Sequence, residues 1–425
     1  MTNSIKGTHL EDVGLINLPS DWDIVEIQDL LSSDRGISVG VMYPGEHDPK
    51  GIPLVKVGDL TSNSINIYPD FYITPEKHYE YRRTAFEGGE LLVTLVGALG
   101  HCAVVPESMR GWNAARAIAV LRLKNSQDAE FIRFCLLSPP LNKLINVWAN
   151  TSVQATINLK EIKKLPIPFP EIKERTNIVD FLSCLDRKIS NLRQQNKTLE
   201  SIAQTLFKHW FVDFEFPNED GKPYKSSGGA MVRSDFGDIP VGWTFGKLGD
   251  EFDIVMGQSP AGSSYNQDGD GLIFFQGRTD FGFRFPSVRL FTSEPKRIAN
   301  KLDVLVSVRA PVGDINVASD RCCIGRGLAA VSGKYQAYCL HKLKSYRKFF
   351  DVFESEGTVF GSLNKQNFND LDSVIPNEEI LNEFNFIISP VDRKVFINEQ
   401  QIQTLTKTRD RLLPKLMSGQ LRIPE

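Results

Sequence analysis

The 425 residues contain six cysteines but no CxxC pair, and six scattered histidines. Adjacent Cys322 and Cys323 cannot readily chelate one ion, and His101 beside Cys102 has no second pair to complete a tetrahedron, so a structural zinc is not expected. The thiols read as reduced and buried, the usual state of cysteine inside a cell. No GxxxxGK[ST] loop occurs, which argues against ATP chemistry in this chain. No run approaches the roughly 20 apolar residues that span a bilayer, and MTNSIKGTHL has no apolar signal-peptide core; a cytoplasmic protein without a membrane partner is expected. Nor is there a surplus of positive charge. The net charge is −3, so any basic surface must be local.

What the chain does have is a repeat. DRKISNLRQQNKTLESIAQTLF (Asp186 to Phe207) returns as DRKVFINEQQIQTLTKTRDRLL (Asp392 to Leu413), an offset of 392 − 186 = 206. The same offset carries TSVQATINLK (Thr151 to Lys160) onto GTVFGSLNKQ (Gly357 to Gln366). Further upstream the offset drifts: GELLVTLVGALG (Gly89 to Gly100) resembles LDVLVSVRAPVG (Leu302 to Gly313), RAIAV resembles RGLAA, and Trp22 answers Trp243. Unequal loops explain the drift. Each half mixes short β-like runs such as LLVTLV and DVLVSV with Gly- and Pro-rich turns and a late helical stretch, so each predicts an α+β domain. In the first half that stretch, FIRFCLLSPPLNKLINVWA, is interrupted at Pro139 and Pro140.

The repeated helices carry an alternating four-three apolar seam, the coiled-coil period. It runs through Ile178, Leu182, Leu185, Ile189, Leu192, Asn196, Leu199, Ala203 and Leu206. Its counterpart runs through Phe384, Ile388, Val391, Val395, Asn398, Ile402, Leu405, Arg409 and Leu412. Seams this narrow predict mutual packing, with Asn196 and Asn398 setting register. Two independent surface helices are the alternative. An antiparallel pair related by a pseudo-two-fold axis is expected to present both heads to one ligand. The 28 steps from Ile178 to Leu206 span about 42 Å, somewhat more than one turn of duplex DNA. Domain boundaries are expected at residues 1–170, 171–215, 216–377 and 378–425, as head, helix with linker, head, and helix with tail.

Several motifs look chemical. SPPL (Ser138 to Leu141) resembles the catalytic tetrapeptide of amino-group DNA methyltransferases, but its fourth residue is not aromatic and no Gly-rich cofactor motif precedes it. GQSPAG (Gly257 to Gly262) departs from the nucleophile elbow at Ala261, and NQDGDG (Asn266 to Gly271) lacks the terminal glutamate of a calcium loop. Each reads as a turn. Basic residues are more telling, because phosphate neutralisation supplies affinity for DNA and side chains at base edges supply specificity. Between Arg278 and Lys334 there are ten basic residues against five acidic ones. Candidate DNA contacts in the second half are Arg278, Arg284, Arg289, Arg309 and Arg326; in the first they are Lys50, Lys56, Arg82, Arg83 and Arg116. Phe281, Phe283 and Phe285 interleave the arginines, as a surface ribbon or as one face of a half-buried strand. Arg116 and Arg326 occupy matched positions, which points to a phosphate or fold contact common to both halves.

In order, these phrases resemble the specificity subunit of type I restriction-modification systems. The likeness rests on DIVMGQSPAGSSYNQDGDGLIFFQGRTDFG (Asp253 to Gly282), VSVRAPVGD, CCIGRGLAA, KKLPIPFP and LDSVIPN, and covers Leu18 to Pro424. It implies two target-recognition domains that each read half of a split site in double-stranded DNA, spaced by two helices that also dock partners. It further implies two methyltransferase subunits and motor-nuclease subunits as those partners, with S-adenosylmethionine, Mg2+ and ATP used only by them, and no catalysis or cofactor in this chain. LFKHWFVDFEFPNEDGKPY and LLPKLMSGQLRIP match each other only loosely, which leaves open whether the two docking surfaces are equivalent. Two rival readings are a DNA adenine methyltransferase with fused recognition domains and a coiled-coil scaffold for proteins.

Overall fold

The computed structural model describes residues 18–33, 36–61, 64–149, 155–235, 237–355 and 361–423. Part of the matched pair TSVQATINLK and GTVFGSLNKQ lies outside them. The chain forms two compact units, one of residues up to Ile189 with those from Thr404 onward, the other of Ser190–Gln403. The division passes through both long helices, so each unit holds one head and a portion of each helix.

In the first unit the order is β1 (Asp23–Glu26), α1 (Ile27–Leu30), β2 (Ile37–Val39), β3 (Ile52–Val55), β4 (Tyr72–Ile73), α2 (Pro75–Glu80), β5 (Leu91–Thr94), β6 (Cys102–Val104), β7 (Asn113–Ala114), β8 (Ile118–Leu121), α3 (Ala129–Leu137), α4 (Pro139–Trp148), α5 (Leu159–Lys163), β9 (Pro166–Phe169) and the start of α6 (Ile172–Phe211). The main antiparallel sheet runs β2-β8-β5-β6; a smaller one runs β4-β3-β7 with β3 and β7 parallel, and β1 pairs with β9. The fully buried run LLVT of β5 lies between β8 and β6, as a central strand should. The helical stretch does break at its prolines. Pro139 opens α4, where a missing N–H costs nothing. The buried Ser138 donates its hydroxyl to the Cys135 carbonyl at 2.6 Å, and Leu141 sits in the core. SPPL is thus a helix junction.

The second unit repeats this plan. After the end of α6 come β10 (Met231–Ser234), β11 (Gly237–Pro240), β12 (Thr244–Lys247), α7 (Leu248–Glu251), β13 (Asp253–Met256), β14 (Tyr265–Asn266), β15 (Leu272–Phe275), β16 (Leu290–Thr292), β17 (Ile298–Ala299), β18 (Val304–Ser307), β19 (Ile315–Val317), β20 (Cys322–Ile324), β21 (Leu328–Ser332), α8 (Gln336–Ser345), α9 (Arg347–Ser355), α10 (Lys365–Asn369), β22 (Asp372–Ile375) and α11 (Glu378–Met417). Its main sheet, β13-β21-β18-β19, and its pair β12-β22 match the first unit strand for strand. The small sheet is larger here, β14-β16-β15-β20-β17, with β15 and β20 parallel. The hairpin β10-β11 has no partner element among the described residues of the first head.

Each head builds its core between the main sheet and the long helices. In the first, Leu91, Val93, Ala119 and Leu121 pack with Phe131 and Phe134 of α3, Ile178 and Leu182 of α6, and Leu413 and Leu416 of α11. In the second, Val304, Val306, Ala329 and Val331 pack with Tyr338 of α8 and with Phe207, Phe211, Phe384 and Ile388 of the helices. Phe384 lies 5.0 Å from Phe211 and 5.8 Å from Phe207, ring centre to ring centre, both edge-on. The seam is therefore wider than a two-helix stripe, because its ends merge with the heads.

Within each unit the two helices run antiparallel. In the first, Asp186 of α6 meets Arg409 of α11 while Glu174, a little over three turns earlier, meets Arg422 beyond the end of α11. In the second, Asn196 and Asn398 meet, and Glu200 and Asp392 are bridged by one arginine. Ile178, Leu182, Ile189, Leu192, Ile388, Val395 and Ile402 are buried, and Leu185, Leu199, Leu206, Val391, Leu405 and Leu412 are half-buried. Asn398 donates to Asn196 at 2.8 Å, and Asn196 donates to Glu399 at 2.7 Å, with both asparagines buried. An amide pair in an apolar seam disfavours any slip that would leave one of them unsatisfied.

Five cysteines are buried and Cys184 is exposed. Burial pushes the Cys102 and Cys322 thiols up to about 12, which suits inert core groups. Among the described residues no helix is long and apolar enough to cross a membrane.

Candidate nucleic-acid interface

One edge of the main sheet is built alike in both heads. Beyond β18, the Val308 N–H donates to the Gly327 carbonyl at 3.0 Å, which places Arg309 beside the turn Gly325–Gly327 that carries Arg326. Beyond β5, Leu95 donates to Ala117 at 2.8 Å, which places Val96 beside Arg116. Arg116 and Arg326 sit in the same turn, between the parallel strand of the small sheet and the second strand of the main sheet, and both are exposed. A matched glycine allows the approach: a Cβ on Gly40 would meet the Ala114 carbonyl oxygen at 2.1 Å, and one on Gly257 would meet that of Gly325 at 2.1 Å. Ser259, the serine of the GQSPAG phrase, accepts the Arg326 backbone N–H at 3.2 Å and so anchors the turn.

Arg309 and Arg326 therefore share one edge with Arg278, which opens a short 3-10 turn just beyond Gln276, and Gln276 accepts from Gly327 at 3.2 Å. Arg278 pairs with Asp314, which also holds Arg347. Arg289 pairs with Asp280 at 2.9 Å and stays exposed. Around Arg116 the surroundings differ. A cleft of about 730 Å3 is lined there by Val39, Met42, Val57, Leu95 and Val96 among others.

The other candidates of the first head are not all brought to this edge. Lys56 directly precedes the cleft residue Val57 in the chain but is paired with Asp70 at 2.6 Å and faces the Phe71 ring. Lys50 lies at the opposite end of β3, exposed. Arg122, just past the end of β8, donates to the Arg83 and Ala85 carbonyls. Arg82 and Arg83 thus flank the end of β8 away from Arg116, about 13 Å along a four-residue strand.

Arg284 corrects the sequence reading. It is 2% exposed, and its guanidinium joins Glu200 of α6 to Asp392 of α11, the latter at 2.7 Å, so it cannot reach a duplex. Its neighbours share the segment's mixed character: Phe285 is buried, Phe281 half-buried and Phe283 exposed, in a loop rather than a strand. Lys344 also pairs with Glu200, and His341 lies 3.4 Å from Asp392. The first head has the corresponding joint. Arg133 of α3 and Arg409 of α11 both bind Asp186, at 3.2 and 2.8 Å. Asp186 and Asp392 are the first residues of the repeated phrases. That coincidence was the signal in the sequence for a head-to-helix joint.

Burial opposes ionisation of Glu200, yet Arg284 and Lys344 hold its carboxyl down to about 2. A depressed carboxylate adds stability above its unfolded value, near 4.3, that is lost as pH falls toward 2; here it is on the order of 3 kcal/mol. Acid titration followed by hydrogen exchange should therefore show amides of α8 losing protection across that window.

Among the described residues no His, Cys, Asp or Glu cluster could hold a metal ion. The family model for the type I restriction modification DNA specificity domain matches twice, over residues 19–201 and 240–407. The putative MjaX specificity subunit of Methanocaldococcus jannaschii is 27% identical over 420 residues, covering 96% of this chain and 95% of that one. The MjaIX specificity subunit of the same organism is 25% identical, covering 98% of each. A crystal structure of a type I restriction-modification S subunit from M. genitalium shares the fold at 17% identity, with a TM-score of 0.60 over 94% of this chain and 96% of that one. With two matched copies of the domain and a duplicated sheet edge, this chain belongs to the type I restriction modification DNA specificity family.

Proposed function

We propose that the chain is the DNA-reading subunit of a type I restriction-modification complex, each head reading one half of a bipartite target. It is a specificity subunit and not itself the catalyst. The two long helices space the half-sites and dock two methyltransferase subunits, with motor-nuclease subunits joining that assembly. The helices act as an antiparallel coiled coil and the heads as pseudo-two-fold mates. S-adenosylmethionine, Mg2+ and ATP belong to the partners, and the setting is cytoplasmic. An adenine in the selected site would be extruded into a partner's pocket.

The observation that carries this reading is the exposed arginine held in the same turn of both heads, Arg116 and Arg326. The equivalence favours a task common to both half-sites, holding a phosphate, over reading of different bases. Neutralised phosphates make log K fall with log salt by roughly 0.9 each. Binding of the complex to duplex DNA should accordingly weaken steeply with salt, and Arg116→Ala and Arg326→Ala should each lower that slope by about 0.9. Salt-independent binding would favour the protein scaffold, whereas a steep slope untouched by either change would place the DNA face elsewhere on the heads.

A further inference from the structure

The two edges match in backbone and differ in chemistry. Where the second head has Arg309, the first has the half-buried Val96: each follows the third strand of its main sheet, and each forms an isolated bridge, to Ser362 and Thr156 respectively. Where the second head opens its 3-10 turn with Arg278, the first opens it with Val57. Two residues past the matched glycine stand Ser259 in one and Met42, 38% exposed, in the other. Around a common arginine, one edge is polar and basic, and the other is a cleft with an apolar wall of Met42, Val57 and Val96.

We propose that the two heads read chemically different half-sites: the first seats thymine 5-methyl groups in the cleft lined by Met42, Val57 and Val96, and the second reads guanine with Arg309. The inference rests on the edge being the DNA face. In the major groove only thymine offers a methyl group, and guanine offers two acceptors, N7 and O6, spaced for a guanidinium fork. Arg309 is exposed and makes no ion pair among the described residues, so its fork is available. Arg278 is held by Asp314 and supports the local positive field. Arg116, Thr156 and Asn158 line other parts of the cleft, but the wall of Met42, Val57 and Val96 offers no donor, so guanine acceptors stripped of water against it stay unpaired.

The test uses the complete methyltransferase complex and base analogues, which leave the protein unaltered. Mapping methylated adenines in the host defines the two half-sites. Duplexes are then made with deoxyuridine for thymine, or 7-deazaguanine for guanine, in one half at a time. Deoxyuridine should weaken binding about four-fold for each seated methyl lost, in one half only. 7-Deazaguanine should weaken it on the order of ten-fold, in the other half only. Arg309→Ala should abolish the 7-deazaguanine effect and leave the deoxyuridine effect intact, whereas a Met42→Ser and Val96→Ser double variant should do the converse. Equal responses of the two halves, or sensitivities assigned to the opposite heads, overturn the proposal. If Arg116→Ala and Arg326→Ala also leave affinity and salt slope unchanged, the DNA face itself has been misplaced; if they weaken binding, only the assignment of bases fails.

Discussion

Arg284→Ala is expected to destabilise the second head by about 3–5 kcal/mol, because it leaves two half-buried carboxylates, Glu200 and Asp392, without their principal cation. Their side chains are only 12% and 18% exposed, so water cannot replace the guanidinium cheaply. Lys344 and His341 remain nearby but cannot bridge the two helices as Arg284 does. Arg289→Ala supplies the contrast, since that arginine is 53% exposed and pairs at the surface, where about 0–1 kcal/mol is at stake. Chemical denaturation of the two variants measures the difference. A midpoint for Arg284→Ala equal to that of Arg289→Ala would mean that the joint between head and helices carries no strength. The DNA readout separates the roles as well: loss of Arg284 should reduce the fraction of protein competent to bind without altering the salt slope of the remainder.

The same arginine marks where the sequence stopped being legible. Counting charges between Arg278 and Lys334 identifies a basic stretch but cannot tell a cation facing solvent from one sunk between carboxylates. The partners of Arg284 lie 84 residues before it and 108 after it. Local pattern carries no information at that range. What did survive was information repeated in register. The offset of 206 carried the apolar seam, within which the two asparagines that meet stand 202 residues apart, and the likeness of the main sheets was legible only as the offset drifted upstream. It also carried Arg116 onto Arg326 once loop lengths were allowed to drift. The proline pair placed a helix junction correctly, since its constraint on backbone shape is local. The apolar wall beside Arg116 stayed hidden for the opposite reason. Met42, Val57 and Val96 look like ordinary core residues in a sequence, and only folding brings them to one exposed edge.

Register is also where the largest functional loss is expected. Four residues inserted into α6 after Asn196 would advance everything downstream by roughly 6 Å and turn it about 40° beyond a full turn. The pair Asn196 and Asn398 precedes the insertion and would stay seated, but Glu200 would be carried away from Arg284, and Phe207 and Phe211 away from Phe384. The two demands conflict within the second unit, because the amides specify one alignment of α6 on α11 and the aromatic core now specifies another. If the amides win, the second head leaves its place on the helices; if the aromatic core wins, the amide pair breaks and α6 before the insertion loses its alignment on α11. Binding to the bipartite target should then fall to the non-specific level, a loss of at least about a thousand-fold, with methylation of mapped sites in cells vanishing alongside it. An insertion of the same length in the exposed turn Asn266–Gly271, which bears on neither helix, should leave stability nearly unchanged. Retained affinity with unaltered half-site spacing in the helix variant would show that the packed pair does not position the heads, and that recognition of a split site arises from the heads alone.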